Sequence, residues 1–448
     1  MLVNLTFADI ANACGGVLVG ENRPVGAIVT DTRKVVSGCV FVALKGERFD
    51  GHDYIGQAIQ EGAVGVVVNR EVNAPSYIKV PDTTLAYGAI ARLIRDAFNG
   101  PVVCITGSNG KTTVKDWLAQ SLVEKNVLKT RANLNNQIGV PQTLLELDES
   151  HDVAIIEAGT SFTGEIPLLV QIAYPDIVIL TNASGSHFEG LGGLEGIAKE
   201  KGALVSGSSP DASIILNADD TYFDYWCGLA GNRQVYSFGF TDSAVLFASD
   251  IELGAELSKA VFHYNGQVQS VVVAGAGKHQ IANGMAVVLA MLILGVDFKQ
   301  ATARLATPVH VSGRLERLKT KNGALLINDC YNASPKSVEA AIDVLAMQSV
   351  EDTWLVLGAL GELGDQQDQI HYELGIYAKN KGISSLICVG PVAGIAGAAF
   401  EEKGGKAIFC NTHKEAAAFV RLLDKKHAIL VKGSRSAKME NVIEALIN

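Results

Sequence analysis

Short apolar runs recur along this chain, and stretches with apolar residues at every third or fourth position separate many of them. Such alternation predicts strands and helices in turn, hence an α/β fold with parallel sheets. Within 1–81, strands are expected at 27–30, 39–44 and 64–68, with a helix at 53–62, which makes a small mixed α/β N-terminal domain. Within 82–308, strands at 102–106, 153–157, 177–181 and 213–217 alternate with helices at 112–125, 164–173 and 194–206. The pattern changes at 234–274, where Asn265-Gly266 is a hairpin signal and an antiparallel patch should extend the sheet. Helices follow at 279–294 and 298–305. Within 309–448, strands at 324–328, 353–358, 384–389, 406–410 and 427–432 alternate with helices at 335–347, 369–380, 392–402, 413–424 and 437–447. That last block reads as a C-terminal Rossmann-like domain, yet no G-x-G-x-x-G follows its first strand, so a nicotinamide cofactor is not expected.

The junction between the strand at 102–106 and the helix at 112–125 reads Thr106-Gly107-Ser108-Asn109-Gly110-Lys111-Thr112-Thr113. A glycine loop between strand and helix aims backbone N–H groups at a phosphate, and the helix N-terminus adds partial positive charge. Lys111 would reach the outer phosphates and Thr112 is placed to hold Mg²⁺. Ile105 stands where the first glycine of the strict pattern would be. The central domain is therefore expected to be a P-loop ATPase.

Other chemistry-bearing residues follow the ends of expected strands, where open α/β sheets bind ligands. Glu157 ends an apolar run and suits a Mg²⁺ ligand beside a phosphate loop. His187 sits on the Gly/Ser-rich loop after Thr181-Asn182. Lys199 and Lys201 lie on the helix at 194–206, where lysines are ordinarily solvated. His279 and Asn283 share a helix face that could hold a base or a ribose. Arg314 can clamp a phosphate through two hydrogen bonds, and Asp329 can accept from ribose hydroxyls.

Composition narrows the class. Hydrophobic residues make up 48% and charged residues 19%, and the net charge of −10 comes without a basic tail, so nucleic acid is not an expected partner. Seven scattered cysteines without a C-x-x-C pair point to a reducing compartment. No secretory signal opens the chain and no apolar run nears the ~20 residues of a membrane span. The expectation is a cytoplasmic monomer with no membrane insertion.

Together these motifs resemble the Mur ligase family, the ATP-dependent amide-forming enzymes of peptidoglycan assembly. The resemblance rests on the phosphate loop and on Thr30-Asp31-Thr32-Arg33, Phe49-Asp50-Gly51-His52, 133–141 with Asn135 and Asn136, 329–333 with Asn332, 358–364 and 431–435. It implies three domains: one (1–81) for a UDP-sugar, a central ATPase (82–308), and a last (309–448) that closes over ATP and presents a dipeptide. It implies joining of D-alanyl-D-alanine to a UDP-N-acetylmuramoyl-tripeptide, with ATP and Mg²⁺. Gly107, Ser108, Asn109, Gly110, Lys111, Thr112 and Thr113 would cradle the nucleotide, with Asn283 near adenine, Arg314 near the phosphates and Asp329 near the ribose. Thr112 and Glu157 would hold one Mg²⁺ and His187 a second, and Lys201 matches a lysine that the family carbamylates. Thr30, Asp31, Thr32, Arg33, Phe49, Asp50, Gly51, His52, Asn135, Asn136 and Asn332 would face the substrates. Asn328, Ser334 and Gln280 depart from the family's usual Asp, Asn and Asn.

Two other readings stay open at this point. One is a relative that extends folates with glutamate. The other is a nucleotide-dependent switch, although the N-K-x-D guanine signature is absent.

Overall fold

The computed structural model describes residues 2–46, 49–185 and 188–447. Three sheets organise them, with a two-stranded ribbon beside the first. The first sheet runs Val17–Val19, Tyr77–Lys79, Gly65–Val68, Cys39–Val42, Ala27–Val29, parallel except for its first pair. The expected helix at 53–62 is a 3-10 turn, Gly51–Tyr54, running into a short α-helix, Ile55–Gln60.

The central sheet has nine strands. In order they are Gln267–Ala274, Leu257–Tyr264, Leu246–Glu252, Val235–Gly239, Ser213–Asn217, Ile177–Leu180, Val102–Thr106, Val153–Glu157 and Val127–Lys129. Antiparallel pairing is confined to the three strands from 246 to 274; Val235–Gly239 pairs parallel on both sides, so the patch begins later than the alternation suggests. Asn265 and Gly266 both take positive φ in the hairpin turn, as an Asn-Gly signal requires.

Strand Val102–Thr106 is buried throughout because alternate residues feed opposite layers. Val102 and Cys104 join a core with Val67, Ile90 and Ile156, which ties the first sheet to one face of the second through helix Thr83–Ala97. Val103 and Ile105 meet Trp117 and Met285 on the other face. Apolar side chains on both faces explain the unbroken run in the sequence. From Val102–Thr106 the chain passes to the edge strand Val127–Lys129, returns to Val153–Glu157, and then crosses to Ile177–Leu180 on the other side. That reversal opens a crevice at the C-terminal end of Val102–Thr106.

The third sheet runs Glu316–Lys319, Leu325–Asp329, His427–Lys432, Asp352–Gly358, Ser385–Val389, Lys406–Cys410. Only its first pair is antiparallel. Among the described residues no helix is long and apolar enough to cross a membrane.

Candidate active site

The phosphate loop is held open by side chains rather than by regular structure. Gly107 has φ 148°, and Gly110 caps helix Lys111–Ser121 at φ 87°. Thr181 Oγ1 donates to Asn109 O at 2.6 Å, Asn109 N donates to Asn182 Oδ1 at 3.1 Å, and Ser108 Oγ donates to Ser184 O at 2.8 Å. Asp220 in turn accepts from Ala183 N at 2.8 Å and fixes the loop behind. Lys111 Nζ folds back onto Gly107 O at 2.7 Å, the place a phosphate oxygen would compete for. Burial pushes the Lys111 amine below its usual range; nearby Glu157 opposes the shift and Arg314 adds to it. The helix ends at Ser121, one turn short of the 112–125 expected.

Glu157 lies at the end of its strand, 2% exposed. Its Oε1 accepts from Asn135 Nδ2 at 2.9 Å, its backbone N–H donates to Thr130 Oγ1 at 2.9 Å, and its Oε2 is buried with no hydrogen-bond partner. A buried carboxylate oxygen left without a donor is costly and suits a cation. Lys115, one helical turn past Lys111, stands 3.7 Å from that oxygen.

Lys201 is not a solvated helix lysine. It is 1% exposed, and burial, together with the Lys111 charge, holds its amine well below the usual range while Glu200 pulls the other way. Glu200 pins the helix by accepting from Gly164 N at 2.9 Å and Ile166 N at 2.7 Å, at the start of helix Glu165–Ala173. His187 lies outside the described residues.

The C-terminal sheet supplies the opposite wall. Arg314 Nη2 donates to Thr112 Oγ1 at 3.1 Å, and the guanidinium stands 4.4 Å over the Tyr331 ring. Ser334 Oγ donates to Asn109 Oδ1 at 3.1 Å, so the phosphate loop is bonded to the C-terminal sheet's first strand-to-helix turn. Asp329 accepts from Leu315 N at 3.1 Å and from buried Lys432, which also donates to Asn332 O at 3.1 Å. Asn332 Oδ1 accepts from Ala333 N at 2.9 Å. Asn283 stands against Gly110, where a Cβ would come 2.6 Å from its Oδ1. His279, on the same helix face, has its imidazole shifted down by burial, against the pull of Asp329.

The N-terminal candidates form two local turns. Asp31 caps Thr32–Lys34 and chelates the exposed Arg33, which holds its carboxyl down at about 2. Burial pushes the Tyr87 phenol up, and Thr30 opposes the shift. Asp50 accepts from His52 N at 3.0 Å and from His52 Nδ1 at 2.6 Å, and is likewise held at about 2. Asn69 N donates to His52 Nε2 at 3.3 Å, so both ring nitrogens are occupied. Gly51 is packed against the backbone of Leu44, whereas Phe49 is exposed. Asn136 spends its Oδ1 on Ile138 N and Gly139 N and so begins helix Gly139–Leu144; that oxygen is structural.

Lys111, Thr112, Glu157, Lys201, Arg314 and Asn283 thus belong to one neighbourhood around the phosphate loop, and Asp329 is bonded to the same turn that carries Arg314. The N-terminal turns lie in a different sheet. Sequence reasoning missed Lys115, Thr130, Asp220 and Tyr331. Lys115 carried a usable signal, since it is four residues past Lys111 and shares its face.

Family profiles match this arrangement in three pieces: the Mur ligase family catalytic domain over residues 24–98, the Mur ligase middle domain over 105–291, and the Mur ligase glutamate ligase domain over 313–435. The UDP-N-acetylmuramoyl-tripeptide–D-alanyl-D-alanine ligase of Escherichia coli K12 is 36% identical, with 99% of each chain covered. The chain belongs to the Mur ligase family. The enzyme of the same description from Bacillus subtilis is 33% identical over 100% of this chain and 99% of its own. Crystal structures of MurF from Acinetobacter baumannii and, in complex with ADP, from Thermotoga maritima superpose with TM-scores of 0.91 and 0.82. Their identities are 31% and 27%; the first match covers 99% of both chains, the second 94% of this chain and 96% of the other. The Mur ligase fold, with a parallel-sheet centre between an N-terminal mixed domain and a C-terminal Rossmann-like sheet, is the one the sequence pattern anticipates.

Proposed function

We propose that this Mur ligase joins D-alanyl-D-alanine to a UDP-N-acetylmuramoyl-tripeptide with cleavage of ATP to ADP and phosphate, a step of peptidoglycan precursor synthesis. The observation that carries the reading is full-length similarity to ligases of that description, on a chain whose phosphate loop, buried Glu157 and Arg314 converge. Residues 1–81 would hold the UDP-sugar, 82–308 the ATP, and 309–448 the dipeptide.

A carboxylate does not couple to an amine at neutral pH until one of its oxygens becomes a leaving group. The terminal carboxylate of the tripeptide attacks the γ-phosphorus, ADP leaves, and an acyl phosphate forms. The dipeptide amine then attacks the carbonyl, loses a proton, and inorganic phosphate departs. The task of the protein is to bring two anions together and neutralise them. Lys111 would exchange its loop carbonyl for a phosphate oxygen, and Arg314 would leave Thr112 for the phosphates. Closure of the C-terminal domain over the phosphate loop, which the Ser334–Asn109 bond spans, would keep water from the acyl phosphate.

Glu157 fits a divalent cation because its Oε2 is buried and free of donors. Thr112 and Glu157 would hold one Mg²⁺, and His187 and Lys201 a second. Mg²⁺ would neutralise charge developing on the phosphoryl oxygens. Lys201 suits carbamylation: burial disfavours its ammonium form, and the neutral amine is the form that adds CO₂ and releases a proton, which would leave an anionic oxygen ligand for the metal.

Phosphate release measured with UDP-muramoyl-tripeptide and D-Ala-D-Ala, against folate and glutamate, tests the reading. Release only with the first pair, together with amide product, is expected. Release with folate and glutamate, or nucleotide binding with no ligation, would overturn it.

A further inference from the structure

We propose that Lys115 is a positioning residue that holds Glu157 ready for a metal ion without occupying the oxygen the metal needs. The inference rests on the assignment of Glu157 as a metal ligand. Lys115 is 2% exposed and lies on the helix face it shares with Lys111, one turn deeper. Its Nζ is 3.7 Å from Glu157 Oε2 and 3.7 Å from Asp116 Oδ2. Among the described residues no other lysine or arginine is in ion-pair range of Glu157.

The distance carries the argument. At 3.7 Å the ammonium compensates the buried carboxylate electrostatically, but it makes no hydrogen bond to Oε2, which keeps its lone pairs free. Oε1 is already fixed by Asn135 at 2.9 Å. Asp116 draws Lys115 the other way and is itself held by Lys129 at 2.7 Å. The ladder Lys129–Asp116–Lys115–Glu157 therefore aligns one carboxylate oxygen and leaves it open. The phosphate-loop lysine acts on the nucleotide; the lysine one turn on acts on the carboxylate.

The test is Mn²⁺ binding to the ADP-loaded full-length protein, followed by electron paramagnetic resonance, beside ADP binding in a chelator and thermal melting. Lys115→Met should weaken Mn²⁺ binding by about 10–100-fold, the usual cost of losing a group that orients a ligand, with metal-free ADP affinity unchanged. Lys115→Arg should retain Mn²⁺ binding. Asp116→Asn should also weaken it, because Lys115 is then free to close on Oε2 and take its lone pair. Mn²⁺ affinity that is unchanged or tighter in Lys115→Met overturns the proposal; should that variant not fold, unchanged affinity in Asp116→Asn overturns it. Glu157→Gln separates the two claims: if it binds Mn²⁺ as well as the parent, the assignment of Glu157 as a ligand fails instead.

Discussion

Replacing Gly107 with alanine strikes the phosphate loop at its tightest point. The new Cβ would lie 1.9 Å from Thr181 Oγ1 and 3.2 Å from Asn182 N, and the backbone φ of 148° is one that L-residues rarely adopt. Thr181 must move, and its hydroxyl then loses the 2.6 Å bond to Asn109 O that shapes the loop. Strain at such a backbone conformation costs about 1–3 kcal/mol, and the lost hydrogen bond about 1 kcal/mol more. If a bound nucleotide requires the native loop, the whole penalty falls on binding. A total of about 2–4 kcal/mol corresponds to roughly 30- to 1,000-fold weaker nucleotide. Calorimetric titration with ADP, alongside circular dichroism to verify the fold, measures it directly. Affinity within about threefold of the parent in a folded Gly107→Ala protein would mean that this loop does not cradle the phosphates.

Three further outcomes follow from the same geometry. Lys201→Ala should cut turnover by about 10²-fold or more, as loss of a transition-state group does, and carbon-labelled bicarbonate should give a carbamate resonance in the parent alone; near-normal turnover would refute the carbamate role. Glu200→Ala leaves two backbone N–H groups at helix Glu165–Ala173 without their charged acceptor, a loss of about 2–4 kcal/mol seen as an earlier denaturant midpoint, and an unmoved midpoint would refute the capping role. Asp50 is held at about 2 by bonds from His52 and by Arg70, so its contribution is complete above the ordinary carboxylate range near 4 and disappears as pH falls through 2. Asp50→Asn should flatten acid unfolding in that window, and identical acid curves for parent and variant would refute it.

What the sequence made legible was chemistry carried by neighbours in the chain. The phosphate loop, the strand ending at Glu157 and the hairpin at Asn265-Gly266 are local signals, since each depends on a few consecutive residues. Burial of charge was not legible. Lys201 and Lys115 sit on amphipathic helices where lysine ordinarily faces water, and only the packing of a helix against the sheet reveals which ones are enclosed. Asn136 has a role that its motif does not announce: its side-chain oxygen begins a helix. Helix Thr83–Ala97 went unanticipated although Asp82 caps it through Thr84 N at 2.7 Å and Leu85 N at 2.9 Å, a signal present in the sequence. The edge strand Glu316–Lys319 gives no apolar run because it is only half covered.

The central claim is that a carboxylate is activated by transfer of phosphorus from ATP. The direct measurement is oxygen tracing: the terminal carboxylate of the UDP-muramoyl-tripeptide is labelled with heavy oxygen, the reaction is run with D-Ala-D-Ala and ATP, and the phosphate is examined by mass. An acyl phosphate requires one labelled oxygen in each released phosphate, with the other retained in the new amide. Phosphate free of label alongside amide product would contradict the account.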